Sequence, residues 1–115
     1  SNKTKMKVDQ KGHTTIIKDT QNNVESFVGK ITNEYHVFQG QNLILDVSNN
    51  KTLSNADLAH FKELAKTHKK AKKSMIIVSD EVDFNKVPNY LNVVPSVLEA
   101  HDMIEMDEIE RDLGF

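Results

Sequence analysis

The groups in this chain that could do chemistry are five isolated histidines, a few serines and several carboxylates. The histidines lie at positions 13, 36, 60, 68 and 101. Two histidines that share a metal on one helix are normally three or four residues apart, whereas His60 and His68 are separated by eight. Cysteine is absent, which excludes thiolate ligands and thiol catalysis. We therefore predict no metal site and no cofactor.

The serines and carboxylates are no better arranged for catalysis. Ser48 and Ser54 are not accompanied by the histidine and aspartate order that activates a serine nucleophile. Asp80, Glu81 and Asp83 follow an apolar run, but no further ligands converge on them in sequence, so a surface loop is the favoured interpretation. We predict that the chain is not an enzyme and has no catalytic residues.

The most informative segment runs from Asn42 to Leu58. Its apolar run ends at Asp46, and Ser54 with Asp57 three residues later approximates a helix capping box. In α/β sheets, such junctions between a strand end and a helix start commonly bind phosphates or partner proteins. The predicted partner-binding residues, all at this junction, are Ser48, Asn49, Asn50, Ser54, Asn55 and Asp57.

Hydrophobic periodicity predicts the elements around this junction. Polar and apolar residues alternate over residues 5–9, and residues 13–19 after the turn signal Lys11-Gly12 are rich in β-branched side chains, so a hairpin is predicted. Helical spacing begins at Val24, and residues 39–41 end that helix. The remaining predictions are a strand over 42–47, a helix after Ser54, a strand over 74–78, a short strand over 91–94 and a last helix that begins at Ser96, where Glu99 completes a second capping box. This order predicts one α/β domain over residues 1–115, with a mixed sheet of four or five strands packed against helices.

From about Lys5 to Ile104 the chain resembles a STAS domain, the fold of anti-sigma factor antagonists and sulphate-transporter tails. The resemblance rests on the strand Leu43–Ser48 ending in Asp-x-Ser, on Leu58, and on the closing segment 94–100. It implies a regulatory or scaffolding module that binds a protein partner at the strand and helix junction. Because the segment after Ser79 is short, the usual third helix is expected to be reduced to a turn.

The same resemblance implies that the family's phosphorylation switch is lost. Regulated members carry Asp-Ser-Ser-Gly-Leu at the helix entrance, where this chain has residues 54–58, Ser-Asn-Ala-Asp-Leu. Ala56 therefore stands at the phosphate acceptor and Asp57 at the glycine. Ser54 is the nearest remaining candidate phosphosite, although its expected role is to cap the helix.

The tail, residues 104–115, also resembles small bacterial proteins that carry the label ribonuclease Z. That enzyme holds two metals with a His-x-His-x-Asp-His motif so that they activate one water. No such motif occurs in this chain, so the resemblance does not imply that activity.

Two alternative functions remain open. The helix after Ser54 could hold a nucleotide or another anion at its N-terminus, although Asp57 would repel a phosphate there. A lysine-rich face could instead contact RNA, although the lysine run has no interleaved aromatic residue and no arginine, so nucleic-acid binding is not the favoured function. The residues of this basic face are Lys62, Lys66, Lys69, Lys70 and Lys73.

The C-terminal segment combines an apolar stripe with dense negative charge. Seven acidic residues lie between Glu99 and Asp112, against one arginine. The stripe comprises Met106, Ile109, Leu113 and Phe115. It is expected either to pack back over the sheet, which is the default, or to bind a partner or a second copy of the chain. His101, on the preceding apolar face of the helix, is expected to be packed and hydrogen-bonded.

The composition gives few hints about location. No apolar run approaches the roughly 18 residues of a membrane span, so no membrane contact is expected. Residues 1–5 have no apolar segment after them that would suggest a signal peptide, and Ser1–Asn2 is interpreted as a cloning remnant within a disordered stretch 1–4. The absence of cysteine favours a cytoplasmic setting.

Overall fold

The computed structural model describes residues 6–114 and contains one five-stranded mixed sheet within them. The strands lie side by side in chain order, with the first pair antiparallel and the other three pairs parallel. They are β1 Met6–Lys11, β2 Thr14–Asp19, β3 Asn42–Asp46, β4 Met75–Val78 and β5 Asn92–Val94. The predicted α/β class and mixed sheet are therefore confirmed.

Helices occupy every connection after the hairpin and also follow the last strand. The α-helices are α1 Val24–Asn33, α2 Tyr35–Phe38, α3 Lys62–Lys70 and α4 Val97–Asp112. Two 3-10 helices, Asn55–Phe61 and Phe84–Lys86, lie before α3 and between β4 and β5. None of the helices within residues 6–114 is long and apolar enough to cross a membrane.

The sheet carries a separate apolar cluster on each face. Successive side chains of a strand point to opposite faces, so Leu43 and Leu45 pack with α1 and the first 3-10 helix, while Ile44 packs on the other side. On that second face, Ile76 and Ile44 meet Ala100 and Ile104 of α4. All four residues of β4 are buried, which agrees with the prediction of an interior strand.

The hairpin is confirmed, and the helix after it is shorter than predicted. Gly12 provides the turn with a φ of 58°, a conformation that glycine adopts without strain. The predicted helix from Val24 to the residues before Gln39 is interrupted at Glu34, which has φ −113° and ψ 23°. The chain bends there, and the bend directs the short helix α2 so that Phe38 is buried.

The segments after β3 and β4 follow the predicted outline with local differences. The helix that begins after Ser54 opens as a 3-10 helix and continues as α3 only from Lys62. After Ser79, the connection forms no more than the three-residue 3-10 helix Phe84–Lys86, as predicted for a reduced third helix. The Ser96 hydroxyl accepts from the Glu99 N–H at 3.2 Å and donates to the Glu99 carboxylate at 2.8 Å, which confirms that Ser96 caps α4 and pairs with Glu99.

The default prediction that the C-terminal stripe packs over the sheet is wrong for its described members. The side chains of Met106, Ile109 and Leu113 are 62%, 53% and 65% exposed. The helix buries its other side, through Ala100 and Ile104, and this orientation turns the stripe to the surface. Phe115 and residues 1–5 lie outside the described residues.

Candidate functional site

The predicted site lies where the parallel strands end, and two loops meet there. The ladder extends beyond the regular strands, because the Val47 N–H donates to the Val78 carbonyl and the Ser79 N–H donates to the Val94 carbonyl, both at 3.0 Å. The first bond holds the start of the loop after β3 beside the end of β4, and the second holds the start of the loop after β4 beside β5, so both loops leave the sheet at its carboxyl edge.

The loop after β3 is ordered by its own polar side chains. The buried Asp46 carboxylate accepts from the Ser48 N–H at 2.9 Å. The Asn50 amide oxygen accepts from both the N–H and the hydroxyl of Thr52, at 3.1 and 2.9 Å. Asn50 is only 6% exposed, so this side chain serves the loop and offers a partner almost no surface. Such Asx turns fix the backbone direction locally.

The start of the 3-10 helix is tied to the neighbouring loop. The Ser54 N–H donates to the Asp57 carboxylate at 2.9 Å, and the Asp57 N–H donates to the Ser54 carbonyl at 3.1 Å. Asn55 makes a reciprocal pair with Asp83, donating to its carbonyl at 3.0 Å and accepting from its N–H at 2.8 Å. The loops after β3 and β4 therefore form one connected platform, which we call the carboxyl-edge platform (residues 47–57 and 79–83).

Part of the platform faces solvent, and its exposed groups include both amide and charged side chains. Asn49 and Ser54 are exposed, whereas Ser48 and Asn55 are half-buried. The Lys51 ammonium lies 3.9 Å from Asp80 and 3.7 Å from Glu81, and the lysine side chain is 67% exposed. Ion pairs with this degree of exposure contribute little stability. Breaking the pairs between Lys51 and the two carboxylates would therefore cost little free energy.

The predicted anion site at the helix start is already filled by the protein's own carboxylate. Asp57 accepts from the Ser54 N–H and lies 3.3 Å from the Ser54 hydroxyl. A bound phosphate would have to displace this carboxylate or lie beside it, and like charges repel at that distance. Ala56, at the position of the family's phosphate acceptor, is exposed and has no hydroxyl.

His68 is fully buried at the opposite end of the molecule, with both ring nitrogens in short hydrogen bonds. Nε2 lies 2.7 Å from the Gln41 carbonyl, and Nδ1 lies 2.6 Å from the Tyr35 hydroxyl. A carbonyl only accepts, so Nε2 carries the proton. In the neutral ring, Nδ1 then accepts from the Tyr35 hydroxyl. The side chain joins α3 to α2 and to the start of β3, and this role was not apparent from the sequence.

The environment of His68 favours the neutral imidazole. Burial lowers its pKa below the ordinary histidine value, the Gln41 carbonyl raises it, and the charges of Lys73 and Arg111 lower it further. Burial also raises the pKa of the Tyr35 hydroxyl, which keeps that group protonated as the donor to His68.

A second polar cluster joins the last two turns of α4 to the amino ends of β3 and β4. Arg111 donates to the Ser74 hydroxyl at 3.1 Å and to the Asn42 amide oxygen at 3.3 Å. The Ser74 hydroxyl donates to Asp107 at 2.8 Å, and the Asn42 amide nitrogen donates to Glu108 at 2.9 Å. Asn42 and Ser74 are buried, so this cluster satisfies polar groups that would otherwise lack partners.

A 440 Å³ cavity opens beside this cluster, between α3 and α4. Three of the predicted basic-face residues line it, namely Lys66, Lys69 and Lys73. The cavity also contains Arg111 and Tyr90, which are distant in sequence. Lys62 lies next to this group, with its ammonium 5.7 Å from the centre of the Tyr90 ring. The folded chain thus adds an arginine and an aromatic ring to a lysine run that had neither. Lys70, the remaining residue of the basic face, is exposed on α3.

The other candidate ligands remain dispersed. Within residues 6–114, no three histidine, aspartate or glutamate side chains are grouped so that they could hold a metal ion. His101 is half-buried, and its Nε2 atom is enclosed without a hydrogen-bond partner, so the expectation of a hydrogen-bonded histidine is wrong for that atom. No signal in the sequence distinguishes this orphaned atom from a satisfied one.

Comparison with known proteins identifies no relative of this chain. No protein-family model matches the chain, and neither the curated proteins nor the solved structures contain a match. The STAS-like and ribonuclease Z resemblances therefore stay predictions from the sequence.

The bridge that Asn55 forms between the two loops can be tested by replacing its side-chain amide with a carboxylate. Asn55→Asp replaces the amide nitrogen that donates to the Asp83 carbonyl with a charged oxygen, and we expect it to lower the free energy of unfolding by about 0.5–1.5 kcal/mol. Asn49→Asp adds the same charge at an exposed neighbour and should stay within about 0.5 kcal/mol of the parent. Urea denaturation measures both, and equal losses would contradict the bridging role of Asn55.

The buried histidine should make the stability depend on pH. Because the folded-state pKa of His68 lies below its unfolded value, the unfolded chain binds more protons, and the free energy of unfolding falls as the pH drops below about 6.5. A glutamine can donate to Gln41 and accept from Tyr35 without titrating. His68→Gln should therefore reduce the slope between pH 6.5 and 5 by up to about 1.4 kcal/mol per pH unit.

The matched control is His60→Gln, at an exposed histidine in the preceding 3-10 helix. Urea midpoints measured at several pH values give the slopes of the three proteins. The same decrease in slope in both variants would show that burial of His68 is not its cause.

Proposed function

We propose that this chain is a non-enzymatic regulatory or scaffolding module of STAS-like type, which binds a protein partner through the carboxyl-edge platform. The observation that carries the proposal is the internal bonding of the platform. Asp46, Asn50 and Asp57 hold the loop after β3 in one shape, and Asn55 joins it to the next loop. A surface that is ordered before binding loses little conformational entropy when a partner docks.

The distribution of polar groups also supports binding rather than chemistry at this platform. The carboxylates of Asp46 and Asp57 already accept backbone hydrogen bonds, so they are engaged in holding the loop. The exposed groups, Asn49 and Lys51 together with the acidic pair Asp80 and Glu81, offer mixed charge and amide chemistry across the two loops. Polar side chains of this kind typically form the rim of a protein interface.

The proposal includes loss of the family's phosphorylation switch. Ala56 offers no acceptor oxygen, and the Ser54 N–H and hydroxyl both lie within hydrogen-bonding distance of Asp57. Phosphate on Ser54 would bring two negative groups together at that carboxylate. On this proposal, partner binding at the platform is controlled by something other than phosphorylation of the helix entrance.

A partner-capture experiment tests the platform directly. Replacing Asp57 would also break the bond to the Ser54 N–H, so the sharper variants are Asn49→Arg and Lys51→Glu, at two exposed positions. Immobilised protein is cross-linked in extract from the source cells, and cross-linked peptides are identified by mass spectrometry. We expect cross-links from a discrete partner to residues 47–57, and at least a tenfold loss of that partner in both variants.

The matched control is Asn33→Arg, which introduces the same charge at an exposed residue at the end of α1. It should retain the partner at the parent level. A partner that is retained by both platform variants, or lost equally in the control, would overturn the proposal.

A second candidate function is supported by the cavity between α3 and α4. There Lys66, Lys69 and Lys73 lie beside Tyr90, and none of these lysines makes an ion pair within the described residues. Uncompensated cations next to an aromatic ring suit an anionic ligand, such as a nucleotide or single-stranded RNA. Asp107 and Glu110 also line the cavity and weaken its attraction for anions, so this candidate ranks below the platform.

This second candidate predicts measurable binding of an RNA probe at low salt. Fluorescence anisotropy with a labelled mixed-sequence 12-mer RNA should give saturable binding, weakened several-fold by Lys69→Glu and by raising the salt. Tyr90→Leu should weaken it further if the ring stacks on a base. The same charge change at Lys51→Glu, away from the cavity, is the control. Absence of binding at about 20 mM salt removes this candidate and leaves the platform proposal untouched.

A further inference from the structure

The outward face of α4 carries an unusual set of apolar side chains for a surface helix. At about 100° per residue, Ile109 and Leu113 fall on the same side of the helix as Leu98 and Met106. All four are more than half exposed, and Leu98 reaches 71%. We call this set the α4 stripe. A helix that packs on a sheet normally presents a polar face to solvent, so the stripe calls for another explanation.

The packing of α4 turns the stripe away from the sheet, to the solvent side of the helix. Ala100 and Ile104 contact the apolar cluster of the second sheet face. Farther along, Asp107 and Arg111 turn toward the buried ends of β3 and β4 and bond there. The last two turns are thus anchored by polar contacts, and the stripe is not needed to hold the helix in place.

Negative charge surrounds the stripe, and Asp102 also interrupts it between Leu98 and Met106. The exposed carboxylates on or beside it are Glu99, Asp102, Glu105, Glu110 and Asp112. The salt bridges of the described residues include none of these five. The only arginine or lysine of the helix is Arg111, and its guanidinium is engaged on the opposite side with Asn42 and Ser74. A partner must therefore supply both apolar surface and positive charge.

We propose that the α4 stripe is a docking surface for a basic amphipathic helix of another protein. The stripe spans residues 98–113, about 22 Å along a helix axis, which matches a partner helix of about 15 residues. Leucine-like side chains would pack on Ile109 and Met106, and flanking lysines or arginines would pair with Glu105 and Asp112. This is the helix-packing mode in which anchors recur at i, i+3, i+4 and i+7.

Charge argues against the other occupants of this surface. In a dimer through α4, the predicted homo-oligomer, the carboxylates of the two copies would face each other without intervening cations. The basic face of α3 in a second copy would match the charge of the stripe. It offers no apolar surface to the stripe, because its exposed side chains are Lys66, Lys69 and Lys70. An anionic lipid surface would be repelled by the acidic rim.

The test uses a defined peptide in place of the unidentified partner. The probe is a fluorescein-labelled 18-residue helix of leucine and lysine, with leucine at i, i+3, i+4 and i+7. One control peptide has the same composition in an order that destroys the apolar face, and a second has glutamate in place of lysine. Fluorescence anisotropy with the full chain should detect saturable binding of the probe only, weakened at least fivefold between 50 and 500 mM salt.

Two variants connect that binding to the stripe. Ile109→Gln with Leu113→Gln removes apolar surface, and Glu105→Lys with Asp112→Lys reverses the rim; each should weaken probe binding at least tenfold. Val37→Gln is the matched control, since Val37 is 58% exposed on α2, away from α4, and it should bind like the parent. Unchanged urea midpoints confirm that every variant is folded, because the substituted side chains are exposed.

The inference does not rest on the carboxyl-edge platform, so Asn49→Arg should leave probe binding intact. The proposal is overturned if either control peptide binds as tightly as the probe. It is also overturned if both stripe variants bind the probe as tightly as the parent does. Light scattering that detects a dimer abolished by Ile109→Gln would overturn it too, because that result assigns the stripe to a second copy. Co-sedimentation with phosphatidylserine vesicles that is lost in the same variant would assign it to a membrane instead and would also overturn the proposal.

Discussion

The pairing of β3 with β4 is the constraint on which the rest of this structure depends. Both strands are buried on both faces, so their backbone polar groups must pair with each other and with β2 and β5. Apolar side chains project from each face and need a cover, which α1 and α3 provide on one side and α4 on the other. The three-layer arrangement follows from that requirement.

The two ends of this central pair are completed by different means. At the carboxyl edge, short-range bonds within each loop are supplemented by the contact between Asn55 and Asp83. At the amino edge, Asn42 and Ser74 are satisfied by Arg111 and its neighbours, more than 30 residues away in the chain. The first arrangement holds the two loops together as one platform at the surface. The second arrangement fixes the orientation of α4.

That orientation decides which side chains of α4 lie at the surface of the molecule. Because polar groups on the sheet-facing side of α4 anchor its last two turns, the apolar side chains of those turns remain outside. The basic residues gather instead around the cavity between α3 and α4. The net charge of −2 is therefore the sum of two surfaces of opposite charge, a basic one around the cavity and an acidic one along α4.

The sequence by itself determined the class of fold and most of the elements. Strong periodicity located the strands and the last helix, and the Ser96 cap was recognisable because a capping box is local. The break at Glu34 and the 3-10 opening at Asn55 were not predicted, because neither interrupts the spacing of the apolar residues that both segments bury.

Tertiary structure alone decided which polar residues are structural and which are free to act. Asn50 and Asn49 are identical in sequence terms, yet one is buried in a turn and the other is exposed. His68, Tyr35 and Gln41 meet only after the chain has folded, and so do Tyr90 and the lysines of α3. Local patterns carry the information for helices and strands, because those depend on neighbouring residues. A site consists of contacts between residues that are distant in sequence. The packing of the whole chain decides which of these residues meet.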